Sequence, residues 1–119
     1  MSMTEIHELY ATAEKLKDDG KNEEAIEQLM ELLKQDEKFA LAHLALAVLY
    51  GRVTRHEDAI RHGQRACELD PNDPFSFTAM SVTYQRASQG VDNPQDNQRY
   101  IRLAEDAMAR AHQIQGGQG

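Results

Sequence analysis

Residues 40–71, ALAHLALAVLYGRVTRHEDAIRHGQRACELDP, decide how the rest of the chain is read. Small residues recur at Ala47, Ala59 and Ala66, Tyr50 ends the first apolar stretch, and Pro71 follows the second. A shift of 34 residues in either direction places like on like. Ala45 meets Ala11 and Ala79, Tyr50 meets Leu16 and Tyr84, and Ala47 meets Ala13 and Ser81. His43 falls on Leu9 and Phe77. In the second half of the unit, Ala59 meets Ala25, Ile60 meets Ile26, and Ala66 meets Leu32. This many coincidences at one offset mark an internal repeat.

Each unit reads as two helices. Ser2-x-x-Glu5 has the form of a capping box, and Gly20 closes the first helix after Lys17-Asp18-Asp19. Asn22 opens a second helix, with Glu23 and Glu24 favourable at its positive end, that runs to about Gln35. A third spans Phe39 to about Gly51. Thr54-x-x-Glu57 reads as another capping box, opening a helix that ends at Leu69 before Asp70-Pro71-Asn72. Asp73-Pro74 starts a fifth helix that reaches about Ser88, proline being harmless in a first turn. Gln89 to Gln95, with Gly90 and Asn93-Pro94, is the longest connection. The final helix is expected from about Asp96 to Ile114, with apolar spacing at Ile101, Ala104, Met108 and Ala111, before a flexible glycine-rich tail at 116–119.

A 34-residue helix–turn–helix unit with small and aromatic residues at these places resembles the tetratricopeptide repeat. Leu46-Ala47-x-x-Tyr50, Ala59, Ala66 and Pro71 carry the likeness best. Unit three keeps Phe77, Met80-Ser81 and Tyr84, then inserts extra residues, so either Tyr100 or Ala104 fills the small-residue slot of its second helix. Unit one keeps Leu9, Ala13, Leu16, Ala25 and Leu32 but has Glu37 where proline is usual. The resemblance implies an all-α, right-handed superhelical solenoid of three hairpins, a single domain over residues 1–115 with units at about 3–36, 37–71 and 72–114. One hairpin cannot bury its own apolar face, and three make a stable stack. With no extra capping helix in view, Arg99, Arg102, Glu105, Asp106 and Arg110 are expected to make the outer face of the last helix polar.

Composition agrees. Leu, Ile, Val and Phe are only about 19% of the 119 residues, near the margin of disorder, so it is their spacing that argues for folding. The abundance of alanine, the shortage of proline and the absence of Trp suit an all-helical chain. A net charge of -7 argues against nucleic acid, whose phosphates need Lys and Arg in excess. No apolar run reaches the ~18 residues of a membrane span, and the first residues lack the form of a signal peptide. A single cysteine excludes an internal disulfide framework and fits a reducing compartment. The expectation is a cytoplasmic protein.

Nothing in the sequence builds a catalytic or metal site. His56 and His62 are six apart, not at the i,i+4 spacing that puts two ligands on one helical face, and His7 and His112 have no ligand neighbours. His43 stands in a slot where the family often has Trp, so packing with a hydrogen-bond partner is its expected role. Glu68 and Asp70 near Cys67 would raise a thiol pKa, and no serine lies in a nucleophile elbow. The expectation is a non-enzyme without metal or cofactor.

Charge is uneven, with a net of -6 over residues 1–38 and -1 over 39–119. An acidic edge of this kind steers a basic partner's approach. The resemblance implies a concave groove lined by the first helix of each unit. Its positions are Tyr10 and Glu14; Leu41, Leu44, Val48 and Arg52; and Phe75, Thr78, Val82 and Arg86. Family members that grip chaperone carboxyl-terminal tails use Lys, Asn and Arg at positions that are here Tyr10, Glu14, Ala45, Phe75 and Ala79, and none matches. A carboxylate-clamp role is therefore not expected. Two functions remain open: an interaction module taking an apolar or amphipathic segment of another protein in the groove, and a homodimer that uses the same surface on its own copy.

Overall fold

The helix boundaries follow from local chemistry. The computed structural model describes residues 2–118. The first hairpin pairs α1 (Met3–Asp18) with α2 (Asn22–Gln35), the second pairs α3 (Ala40–Arg52) with α4 (His56–Leu69), and the third pairs α5 (Pro74–Gln89) with α6 (Pro94–Gln118). No strand occurs among the described residues. Ser2 caps α1 as expected, its Oγ accepting from the Glu5 amide at 3.2 Å and donating to the Glu5 carboxylate at 3.2 Å. Asp73 accepts from the Phe75 amide at 3.0 Å, with Pro74 opening α5.

One capping expectation fails. Thr54 does not cap α4: Arg55 is its N-cap, without a side-chain bond, and α4 starts at His56. Instead Thr54 adopts φ +63°, and Gly20, 34 residues earlier, adopts φ +77°. The hydrogen bonds around the two are the same. Lys21 N–H donates to Leu16 O at 2.8 Å and Gly20 N–H to Lys17 O at 3.1 Å; Arg55 N–H donates to Tyr50 O at 2.8 Å and Thr54 N–H to Gly51 O at 3.2 Å. These bonds satisfy the last carbonyls of α1 and α3, and they require a left-handed residue at that place. Unit one uses glycine there; unit two forces a β-branched residue into it.

The last helix also differs. Asn93 Oδ1 accepts from the amides of Gln95 at 2.7 Å and Asp96 at 3.4 Å, so Pro94 is already helical. At the other end α6 passes Ile114 and continues through Gly116 and Gly117 to Gln118, where a tail was expected; residue 119 lies outside the described residues. Its predicted polar face is present, with Arg99, Arg102, Glu105, Asp106 and Arg110 exposed, interrupted by Ile101 at 40% exposure.

Small residues sit where the hairpins close. Ala13, Ala25, Ala47 and Ala59 are all buried, and Leu29, Leu32, Leu46 and Leu49 are fully buried among them. Each such leucine contributes roughly 1.5–3 kcal/mol. In the third hairpin the slot left open by the sequence belongs to Ala104: it is buried, and Ser81 Oγ donates to its carbonyl at 2.8 Å. Tyr100 is half-buried and stacks on Tyr84, with ring centroids 6.2 Å apart. Between units two and three, Gly63 of α4 takes the side chain of Met80 from α5. A Cβ at Gly63 would lie 2.2 Å from Met80 Sδ.

The apolar interior is consequently divided. One cluster joins α1 to α4, and a second is built around Met80, Tyr84, Ala104 and Ala107. Two stability predictions follow from this geometry. Thr54→Gly should stabilise the protein by about 1 kcal/mol, because the left-handed backbone is penalised for a side chain and Thr54 is exposed; a rightward shift of the urea midpoint at unchanged slope is the readout. Ala59→Leu should destabilise by ~1–3 kcal/mol through overpacking at a fully buried site, seen in the same titration.

Candidate interaction surface

The 34-residue period brings the first helices into register, so equivalent residues form rows running from α1 through α3 to α5. Within α3, Leu41, Leu44, Val48 and Arg52 share one helical face by spacing, while Ala42, His43, Ala45, Leu46, Ala47, Leu49 and Tyr50 are buried on the others. The same arithmetic places Phe75, Thr78, Val82 and Arg86 on one face of α5.

Exposure separates the ten expected groove residues into two groups. Leu41 (51%), Phe75 (74%) and Val82 (41%) are large apolar side chains open to solvent, and Thr78 and Arg52 are also exposed. Tyr10, Glu14, Leu44, Val48 and Arg86 are half-buried. Tyr10 packs edge-on against Phe39 at 5.4 Å, and burial, reinforced by the neighbouring Glu14 carboxylate, pushes its hydroxyl pKa up to about 12. It therefore stays a neutral hydroxyl on an aromatic ledge. Glu14 pairs with Lys17 at 3.1 Å.

The two arginines do more than decorate the surface. Arg52 Nη1 donates to Lys17 O at 3.1 Å, and Arg86 Nη1 donates to Val48 O at 3.4 Å. The repeat-equivalent guanidinium groups thus reach back to backbone carbonyls of the preceding first helix, Lys17 O in the last turn of α1 and Val48 O just before the last turn of α3. Arg52 and Arg86 were expected as groove charges; their bonds tie α1 to α3 and α3 to α5.

Two further features escaped the reading of the sequence. A surface cavity of about 410 Å³ lies between α4, α5 and α6. Cys67 lines it; burial first, then nearby Asp73 and Glu68, pushes its thiol pKa up to about 11, which suits a packing residue and not a nucleophile. The other is a polar cluster around two buried histidines that ties α3 to α4 and to the connection from α2. His43 Nδ1 faces His62 Nδ1 at 3.0 Å, His43 Nε2 lies 2.8 Å from Glu37 O, and Arg65 grips the Glu37 carboxylate with two bonds of 2.6 and 2.7 Å. The expectation that His43 packs with a hydrogen-bond partner is met. The signal for the pairing is the hairpin itself: α3 and α4 run antiparallel on either side of the turn at 53–55, which brings their buried faces together.

Among the described residues no helix is long and apolar enough to cross a membrane, and no group of three or more His, Cys, Asp or Glu is placed to hold a metal. No family model and no curated protein sequence matches the chain. Solved structures do. TTC0263, a thermophilic TPR protein of Thermus thermophilus, superposes with a TM-score of 0.83 at 15% identity, over 92% of this chain and 56% of that one. MamA MSR-1 C2 superposes with a TM-score of 0.66 at 16% identity, over 89% of this chain and 59% of that one. The chain spans somewhat more than half the length of these two structures, and at such identities what is shared is the fold. It is a right-handed superhelical solenoid of three helix hairpins, the tetratricopeptide-repeat fold.

Proposed function

We propose that this protein is a non-catalytic interaction module whose face of first helices, the concave side of the superhelix, takes an apolar or amphipathic segment of another protein. One observation carries the reading. Leu41 and Phe75 are repeat-equivalent and exposed on adjacent first helices, and Val82 continues the apolar surface two turns along α5. An apolar patch of this kind, rimmed by polar residues, is a recurring mark of protein contact. The acidic N-terminal third, with a net of -6, would speed the approach of a segment carrying basic flanks. A cytoplasmic setting is part of the proposal, supported by the unpaired Cys67.

The three exposed side chains are better probes than the half-buried Leu44. Peptides selected from a displayed random library against the immobilised protein should carry apolar residues at helical or alternating spacing. Their binding should fall about tenfold or more in Phe75→Glu and Val82→Glu, with the far-ultraviolet helical signal and melting temperature unchanged. Covering ~100–150 Å² of apolar surface contributes roughly 2–4 kcal/mol at about 25 cal/mol per Å² before association costs. Amide shift changes confined to α4 and α6, or unaffected binding in both variants, would move the site elsewhere. Light scattering that shows a stable dimer, dissociated by Val82→Glu, would replace the peptide with a second copy of the chain.

A further inference from the structure

The buried histidine pair has a chemistry that its hydrogen bonds dictate. Glu37 O is a carbonyl and can only accept, so His43 Nε2 carries a hydrogen. In a neutral His43 the other nitrogen, Nδ1, is then bare. At 3.0 Å from it, His62 Nδ1 must donate, which makes His62 the Nδ1–H tautomer. One added proton is accommodated by reversing this bond: His43 donates from both nitrogens, and His62 Nδ1 becomes the acceptor. A second proton leaves two N–H groups pointing at each other across 3.0 Å, which abolishes the bond between the rings.

We propose that the His43–His62 pair is an acid-sensitive latch across the second hairpin, tying α3 to α4, held closed with at most one proton beyond neutrality and opened by the next. Its surroundings extend the latch to the connection from α2. His43 is on α3, His62 on α4, and Glu37 is in the connection from α2; the Glu37 carboxylate lies 3.3 Å from His43 Nε2 and is held by Arg65 of α4. From α4, Asp58, Arg61 and Glu68 also face the cluster; from α3, Tyr50 stacks on His62 with centroids 5.6 Å apart. From α2 the same cavity receives only Met30 and Leu33, which carry no charge. Glu37 and Arg65 compensate each other: Arg65 holds the Glu37 carboxyl down to about 2, so Glu37 keeps its charge through the range in which imidazoles titrate. Burial, followed by the charge of His43, pushes the His62 pKa down to about 4.

The sign of the pH effect is set by proton counts. Below about 6.5 the unfolded chain binds a proton on the His62 imidazole, while burial against His43 keeps the folded His62 neutral until about 4. Stability is therefore complete above a pH of about 6.5 and is lost as pH falls toward about 4, with the folding equilibrium constant dropping by up to about tenfold per pH unit. This holds whatever the first-helix face binds, since neither histidine lies on that face.

The test is made on the intact protein. Nitrogen-15 spectra of the imidazoles at about pH 7.5 should show His62 as Nδ1–H and His43 as Nε2–H, and the His62 ring should remain neutral down to about pH 5. Urea titrations between about pH 7.5 and about pH 4.5 should show an acid loss of stability that His62→Gln removes, because glutamine can donate to His43 Nδ1 at every pH. His56 and the other histidines are present in both proteins and cancel in the comparison. A His62 found as the Nε2–H tautomer, a His62 that titrates in the ordinary imidazole range, or identical pH profiles for the two proteins would each overturn the latch. If His62→Gln does not fold, the tautomer and ring titration of the unaltered protein decide by themselves.

Discussion

Everything in this fold depends on how closely two helices can approach inside a hairpin. The limit is set by Ala13 and Ala25 in the first unit and by Ala47 and Ala59 in the second. In the third it is set by Ser81 and Ala104, whose contact includes a hydrogen bond to backbone. A Cβ-sized side chain at these points leaves Leu29 and Leu32 of α2 and Leu46 and Leu49 of α3 free to fill the space above and below. Gly63 extends the same constraint between units, where its missing side chain is replaced by Met80. A longer residue at any of these places would part the helices, and the rows on the first-helix face would part with them.

That constraint was legible because it repeats. Small residues at a fixed period are a property of the sequence itself, so the six helices and the hairpin order are legible in it. Three things could not be read, for different physical reasons. Thr54 looks like a helix cap because threonine usually is one; only the backbone shows that the second unit needs a left-handed residue where the first has Gly20. Arg52 and Arg86 were read by charge, yet their position at the end of a first helix puts a carbonyl of the preceding helix within reach. The slot shared between Tyr100 and Ala104 depends on the length of the turn before α6, and inserted residues carry no period to count by.

Glu37 shows what a departure from the pattern can mean. Where the repeat usually has proline, this chain has a carboxylate, and the turn keeps its form: Phe39 N–H donates to Asp36 O at 3.3 Å, as Asp73 N–H donates to Asp70 O at 3.2 Å in the unit that has Pro71. The turn therefore does not need proline's fixed φ. The freed side chain instead binds Arg65 of α4, and its backbone receives His43 of α3, so an irregular residue anchors the connection from α2 onto both helices of the second hairpin.

The paired arginines have a consequence for how such a surface can change over time. Arg52 and Arg86 tie neighbouring first helices through backbone carbonyls, groups that every residue type provides. The exposed Leu41, Phe75, Thr78 and Val82 take no part in those ties. Scaffold and lining are thereby decoupled: the lining can drift toward a new ligand, one residue at a time, without the frame having to be rebuilt around each substitution. Under the proposed function, a face constructed in this way meets its segment preformed, and little ordering entropy is lost when it is filled.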